Sequence, residues 1–155
     1  MITPKNTCEK DIIEFLASWK EGILDIGKAF RNHENYEEKA AAFIHEHYAF
    51  EDEQVLFKPT YTKDVIFRND FNQALSYFIS GNIAEDSGFA IKPWLDISTT
   101  DINFIIEDQL CAVMGVLELK TEASKSIAVI AFTFVLIKTK TKLKIKIHHS
   151  SEISS

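Results

Sequence analysis

The sequence predicts an α+β domain in which N-terminal helices pack on one face of a curved antiparallel sheet. Two observations predict it. Apolar residues recur at helical spacing through the first part of the chain, and from Phe89 onward nearly every segment is strand-like and ends in a short polar turn. A strongly curved sheet wrapped around a long first helix makes a cone with an internal pocket.

The elements follow in order. Ile12, Leu16, Trp19, Ile23, Ile26 and Phe30 step by three or four residues and hold one helix face until Asn32 and His33 interrupt it. Asn35 followed by Glu38 reads as a capping box opening a second helix, with Tyr36, Ala40, Phe43 and His47 along one side. "QVLFKPTYT" is a short apolar run that Pro59 ends, which suits a strand terminus. Asp70 and Gln73 cap a third helix that buries Phe71, Ala74, Leu75 and Phe78, with Gly81 as its stop. The strands then run over 97–106, 110–119, 127–137 and 143–149, with turns at "TEASKS" and "KTKTK".

Composition narrows the function. One domain spanning 1–155 is expected at this length. Twelve Phe imply a deep aromatic interior. A net charge of −6 argues against a nucleic-acid partner or an anionic membrane surface, either of which selects a basic footprint. No stretch has the roughly 18 apolar residues of a membrane span, and the first residues lack a secretory core, so a cytoplasmic protein is expected. Cys8 and Cys111 fit a reducing compartment, with Cys111 in the core.

The last strand carries the candidate chemistry. Strict alternation along "KLKIKIHHSSE" puts Lys142, Lys144, Lys146, His148 and Ser150 on one side. It puts Leu143, Ile145, Ile147, His149 and Ser151 on the other. The apolar side faces the core, so His149 and Ser151 are expected to look inward. Burying them is costly without partners, and a pocket that handles a small polar ligand supplies some. The lysines are expected in water, blunting a sheet face or edge.

At this point the sequence resembles a known family. "LFKPT" (Leu56 to Thr60), Phe67-Arg68, "ALSYFISG" (Ala74 to Gly81), "EDSGFAIKPW" (Glu85 to Trp94), "AVMG" (Ala112 to Gly115), "FTF" (Phe132 to Phe134) and "LKIKIHHSS" (Leu143 to Ser151) occur in this order. Together with "WKEGILDIG" (Trp19 to Gly27) they are similar to the iota-class carbonic anhydrases. The resemblance implies the cone fold of the nuclear transport factor 2-like superfamily, shared with ketosteroid isomerase and the association domain of calmodulin-dependent kinase II. It also implies a homodimer and reversible hydration of carbon dioxide to bicarbonate. In the family's metal-free picture a Thr, a Tyr and the last Ser contact the substrate; here these are Thr60, Tyr77 and Ser151, with His149 beside them. Arg68 is a candidate to steer the anion.

No cofactor is expected. The inward wall offers one imidazole, and His45 and His47, two apart on a helix, point away from each other, so three zinc ligands do not converge. A zinc or manganese enzyme is the minor alternative. The chain also departs from the family pattern as read here: Val116 stands for an Asn, Ala131-Phe132 for Glu-Tyr, Val135-Leu136 for Gly-Tyr and Lys144 for an Arg. The expectation is a greasier pocket, and with it a rival reading: a non-catalytic dimeric binding module that has lost the activity. An isomerase or dehydratase using Asp25 or Glu46 as base ranks behind both.

Overall fold

In the computed structural model, which describes residues 7, 9–121, 127–140 and 142–153, the helices come first and the strands follow. Helix α1 (Glu9–Arg31) turns through His33, at φ 58°, into α2 (Tyr36–His47). The Asn35 side chain accepts from the Glu38 N–H as the cap requires. Strand β1 (Leu56–Lys58) and helix α3 (Phe71–Ile79) follow, then a single 3-10 turn over Phe89–Ile91. Strands β2 (Trp94–Ile106), β3 (Leu110–Thr121), β4 (Ile127–Lys138) and β5 (Leu143–Glu152) complete the chain. The predicted turn "TEASKS" and Cys8 fall largely or wholly outside the described residues.

Helix α3 stops one residue earlier than glycine placement suggests. Ser80 takes the left-handed conformation, at φ 59°, and the Gly81 N–H reaches back to the Ser76 carbonyl. Gly81 matters for closeness instead: a Cβ there would meet Ser76 Cα at 2.9 Å.

The strands form one sheet in the order β1-β5-β4-β3-β2, antiparallel except for β1 beside β5. Its inner face meets α1. Ile12, Trp19, Ile23 and Ile26 pack against Val113, Leu117, Leu119, Phe134 and Leu136, all buried. Trp19 is tilted on Phe134 at 5.7 Å between ring centres. Cys111 is free and fully buried, and burial pushes its thiol up to about 11, so it serves as a core residue.

One irregularity decides which side chains reach the pocket. Between β4 and β5, Leu136 pairs with Ile145 but Val135 pairs with Ile147, so Lys146 is an extra residue in β5. This β-bulge shifts the alternation by one. Ile145 faces inward, and so do His148 and Ser150, three and five residues on. The expected inward orientation of His149 and Ser151 is therefore corrected: both are exposed on the outer face. The Ile145 carbonyl accepts from the Ala49 N–H at 3.0 Å, which ties the bulge to the end of α2. The lysines are corrected in part as well. They stay solvent-exposed to different degrees, Lys144 least, and each also pairs with an acid: Lys142 with Glu46, Lys144 with Asp52 and Lys146 with Glu53.

Candidate active site

Helices α1 and α3, β1 and the inner face of β3, β4 and β5 enclose a small cavity. Its polar lining is Thr60, Tyr77, His148 and Ser150, and Trp19, Phe57, Phe78, Phe89, Leu117 and Ile130 are among the apolar residues around them. Its volume is about 10 Å³, the room of a single water.

His148 comes from β5 and is wedged between rings. It stacks on Phe57 at 4.6 Å and meets Phe134 edge-on at 4.6 Å. Tyr48 Oη lies 2.9 Å from its Nδ1, and Ser150 Oγ lies 2.6 Å from its Nε2. Directions along this chain follow from its far end. The Trp19 indole N–H can only donate, and it donates to Tyr48 Oη at 3.2 Å. The Tyr48 proton then has His148 Nδ1 as its acceptor. The imidazole proton sits on Nε2 and donates to Ser150, leaving the Ser150 proton for the cavity. Reversing the column would strand the Tyr48 hydroxyl proton in the core, which costs about 1–3 kcal/mol. Burial, and to a smaller extent His149 next to it, pushes the His148 pKa down to about 3, so this imidazole is neutral.

Tyr77 comes from α3, 5% exposed and stacked on Phe89 at 5.8 Å. Its hydroxyl accepts from the Tyr61 N–H at 3.3 Å and is hydrogen bonded to Thr60. Burial raises its pKa well above the ordinary value, although those two bonds pull the other way, so the group is a neutral phenol. Thr60 follows Pro59 on the loop after β1 and is half-buried.

Arg68 lies behind this wall and not in it. It is 0% exposed, and its donors are taken. Nε bonds the Val65 carbonyl, Nη1 the Gln73 carbonyl and Asp86 Oδ2 at 2.7 Å, and Nη2 bonds Asp86 Oδ1 at 2.8 Å with Glu85 at 3.5 Å. Ser76 Oγ also donates to Asp86, at 2.6 Å. Burial weakens the guanidinium's charge, but Asp86 outweighs it and the pKa is raised. The expected anion-steering role is thus corrected. Arg68 has no donor to offer a ligand; it fixes Tyr77, whose ring centre is 5.9 Å away.

The structure therefore brings together Thr60 and Tyr77 of the expected set and leaves His149 and Ser151 out. Sequence reasoning missed His148 and Ser150, their neighbours, and the Tyr48–Trp19 column behind them. The apolar replacements move too. Val116 and Ala131 are cross-strand partners on the outer face, in register with Ser151, and Val135 lies on the same face. Leu136 is in the core beside Cys111 and Ile145 and does not line the cavity. The pocket is not the greasier one expected from those positions. Among the described residues, no three His, Cys, Asp or Glu side chains are grouped to hold a metal.

Residues 10–152 match the sequence family described as metal-independent carbonic anhydrase. No curated protein sequence is significantly similar. Among solved structures, the iota-carbonic anhydrase of a cyanobacterium complexed with bicarbonate superposes with a TM-score of 0.91 at 24% identity, covering 100% of this chain and 99% of the other. A protein assigned as a calcium/calmodulin-dependent kinase II association domain from Xanthomonas campestris gives 0.68 at 19%, covering 100% and 94%. A nuclear transport factor 2-like protein from Pseudomonas putida gives 0.66 at 8%, covering 95% and 87%. The expected cone fold is the one observed.

Proposed function

The chain belongs to the metal-independent carbonic anhydrase family, and we propose that it hydrates carbon dioxide to bicarbonate, without a bound metal, in the cavity of Thr60, Tyr77, His148 and Ser150. The observation that carries this reading is the pair of hydroxyl systems meeting in one apolar cavity: the column ending at Ser150, and the linked hydroxyls of Thr60 and Tyr77.

Hydration needs an oriented water, donors for the charge that develops on oxygen, and a path for one proton. Ser150 supplies a donor backed by a neutral imidazole, and Tyr77 supplies a second. Preorganised donors in a dry cavity stabilise developing charge far better than water does, each worth about 3–4 kcal/mol in a comparable oxyanion site. The water is held by Thr60. As its oxygen bonds to carbon, one of its protons passes through the Thr60 and Tyr77 hydroxyls to a carboxyl oxygen. The product of that step is carbonic acid, which ionises on release. The Trp19–Tyr48–His148 column ends in the core, so its role is to aim Ser150 and not to export protons.

A cavity that holds one water must widen for carbon dioxide. The wall able to give is the 59–69 segment, which has no helix or strand of its own. Among the contacts that hold it are the Tyr61 hydroxyl on Glu152 at 2.6 Å, the Tyr61 N–H on Tyr77, and the Glu85 carboxylate accepting from the N–H groups of Lys63, Asp64 and Val65.

The homodimer implied by the resemblance has a suitable surface in the outer sheet face. Ile105, Ala112, Val135 and Ile147 form one continuous cross-strand row there. Met114, 59% exposed, stands beside that row on the same face. The reading is tested by stopped-flow carbon dioxide hydration with and without a strong chelator. Hydration unchanged by chelator supports it. Loss that a metal restores keeps the reaction and sinks the metal-free step, and no hydration by folded protein sinks both.

A further inference from the structure

A second cleft lies away from the hydroxyl cavity and shares no lining residue with it. It opens between α1, the end of α2 and the β4–β5 hairpin, with a volume of about 370 Å³. On its wall Ser18 Oγ stands 2.8 Å from His47 Nε2. The other ring nitrogen, Nδ1, is 2.8 Å from the Phe43 carbonyl oxygen. A carbonyl only accepts, so Nδ1 carries the proton of a neutral imidazole and Nε2 presents its lone pair to the Ser18 hydroxyl. His47 is 3% exposed and pinned against Phe43 at 4.6 Å, while Ser18 is exposed. Nucleophile, base and orienting acceptor are thus in hydrogen-bonded sequence, with only the nucleophile open to the cleft.

We propose that Ser18 is an acyl-accepting nucleophile, activated by His47, for small activated esters that enter this cleft. Ser18 Oγ bonds to the ester carbonyl carbon while its proton passes to His47 Nε2. The carbon–oxygen bond to the leaving group then breaks, and the leaving alkoxide takes the proton from His47. The acyl-serine is released by water, with His47 accepting one proton and returning it to Ser18. Lys138 and Lys142 line the same cleft together with Asp11, Glu14 and Glu46, and Lys142 is paired with Glu46 at 2.7 Å. A tie between α1 and α2 alone needs the hydrogen bond but no open cleft beside the serine.

The test uses the full chain with 4-nitrophenyl acetate and, separately, phenylmethylsulfonyl fluoride, followed by peptide mass mapping. One label on Ser18 is expected. It is absent in Ser18→Ala, which hydrates carbon dioxide as well as the parent, and its rate falls about 100-fold in His47→Gln. Acetyl groups found only on lysines, with no sulfonyl label on Ser18, would overturn the proposal. So would a Ser18 label whose rate is the same in a folded His47→Gln variant.

Discussion

Acidification from pH 7 to pH 5 probes the buried state of His148 directly. Its pKa moves from 6.5 in the unfolded chain to about 3 in the fold, chiefly through burial. Below 6.5 the unfolded chain binds a proton that the folded chain refuses until about 3. Unfolding therefore takes up a proton, and stability falls as pH drops through this window. At about 1.4 kcal/mol per unit, the 1.5 units between 6.5 and pH 5 remove about 2 kcal/mol. His47 shifts in the same direction, also from burial, so the total loss is larger than the His148 share. The share is isolated by comparison with His148→Gln, which cannot titrate there. Urea unfolding followed by tryptophan fluorescence at both pH values should show the parent losing about 2 kcal/mol more than the variant. Equal losses in the two proteins would mean that His148 is solvated or already protonated, and the donor column to Ser150 would fall with it.

Three further outcomes are expected. Ser150→Ala lowers the carbon dioxide hydration rate by about 100-fold or more, whereas Ser151→Ala leaves it unchanged; the reverse order in stopped-flow assays would restore strict alternation along β5. Asp86→Ala leaves the Arg68 guanidinium buried without its main partner and costs about 3–5 kcal/mol in urea unfolding, a size that a surface ion pair does not reach. Met114→Glu places a charge on the outer sheet face, next to the apolar row of Ile105, Ala112, Val135 and Ile147, and converts the proposed homodimer to monomer in sedimentation velocity, with hydration per chain retained; a parent protein already monomeric would remove that face as an interface.

Most of the architecture is legible in the sequence because it rests on periodicity and capping. The steps from Ile12 to Ile26, the Asn35–Glu38 and Asp70–Gln73 caps and the alternation through β3 each set one element without long-range information. Thr60 and Tyr77 were legible through the resemblance. The β5 pair was not, because a bulge in a run of alternating Lys and Ile leaves no local mark. The extra residue is set by partners far along the chain: Ala49 takes the Ile145 carbonyl, and β1 pairs Leu56 with Ile147. Arg68 was misread for a similar reason. Its acceptors lie on a loop and on Asp86, which nothing local links to it.

The unbroken alternation of β3 and β4 changes the meaning of the family departures. Val116 stands between the inward Gly115 and Leu117, and Ala131 between the inward Ile130 and Phe132, so both face outward whatever the register of β5. The bulge at Lys146 adds Ser151 to that outward row and turns Ser150 into the cavity with Leu117 and Ile130. The apolar replacements at Val116 and Ala131 then remove nothing from the hydroxyl cavity, and Leu136, inward in the core, does not line it either. Val116 and Ala131 leave the outer sheet face more apolar than an Asn and a Glu would, which suits the proposed association between sheet faces at about 25 cal/mol for each Å² withdrawn from water. The case for a lost active site rested on those three positions. With two of them on the other side of the sheet and the third outside the cavity, they leave the neutral His148 column and the Thr60–Tyr77 pair untouched.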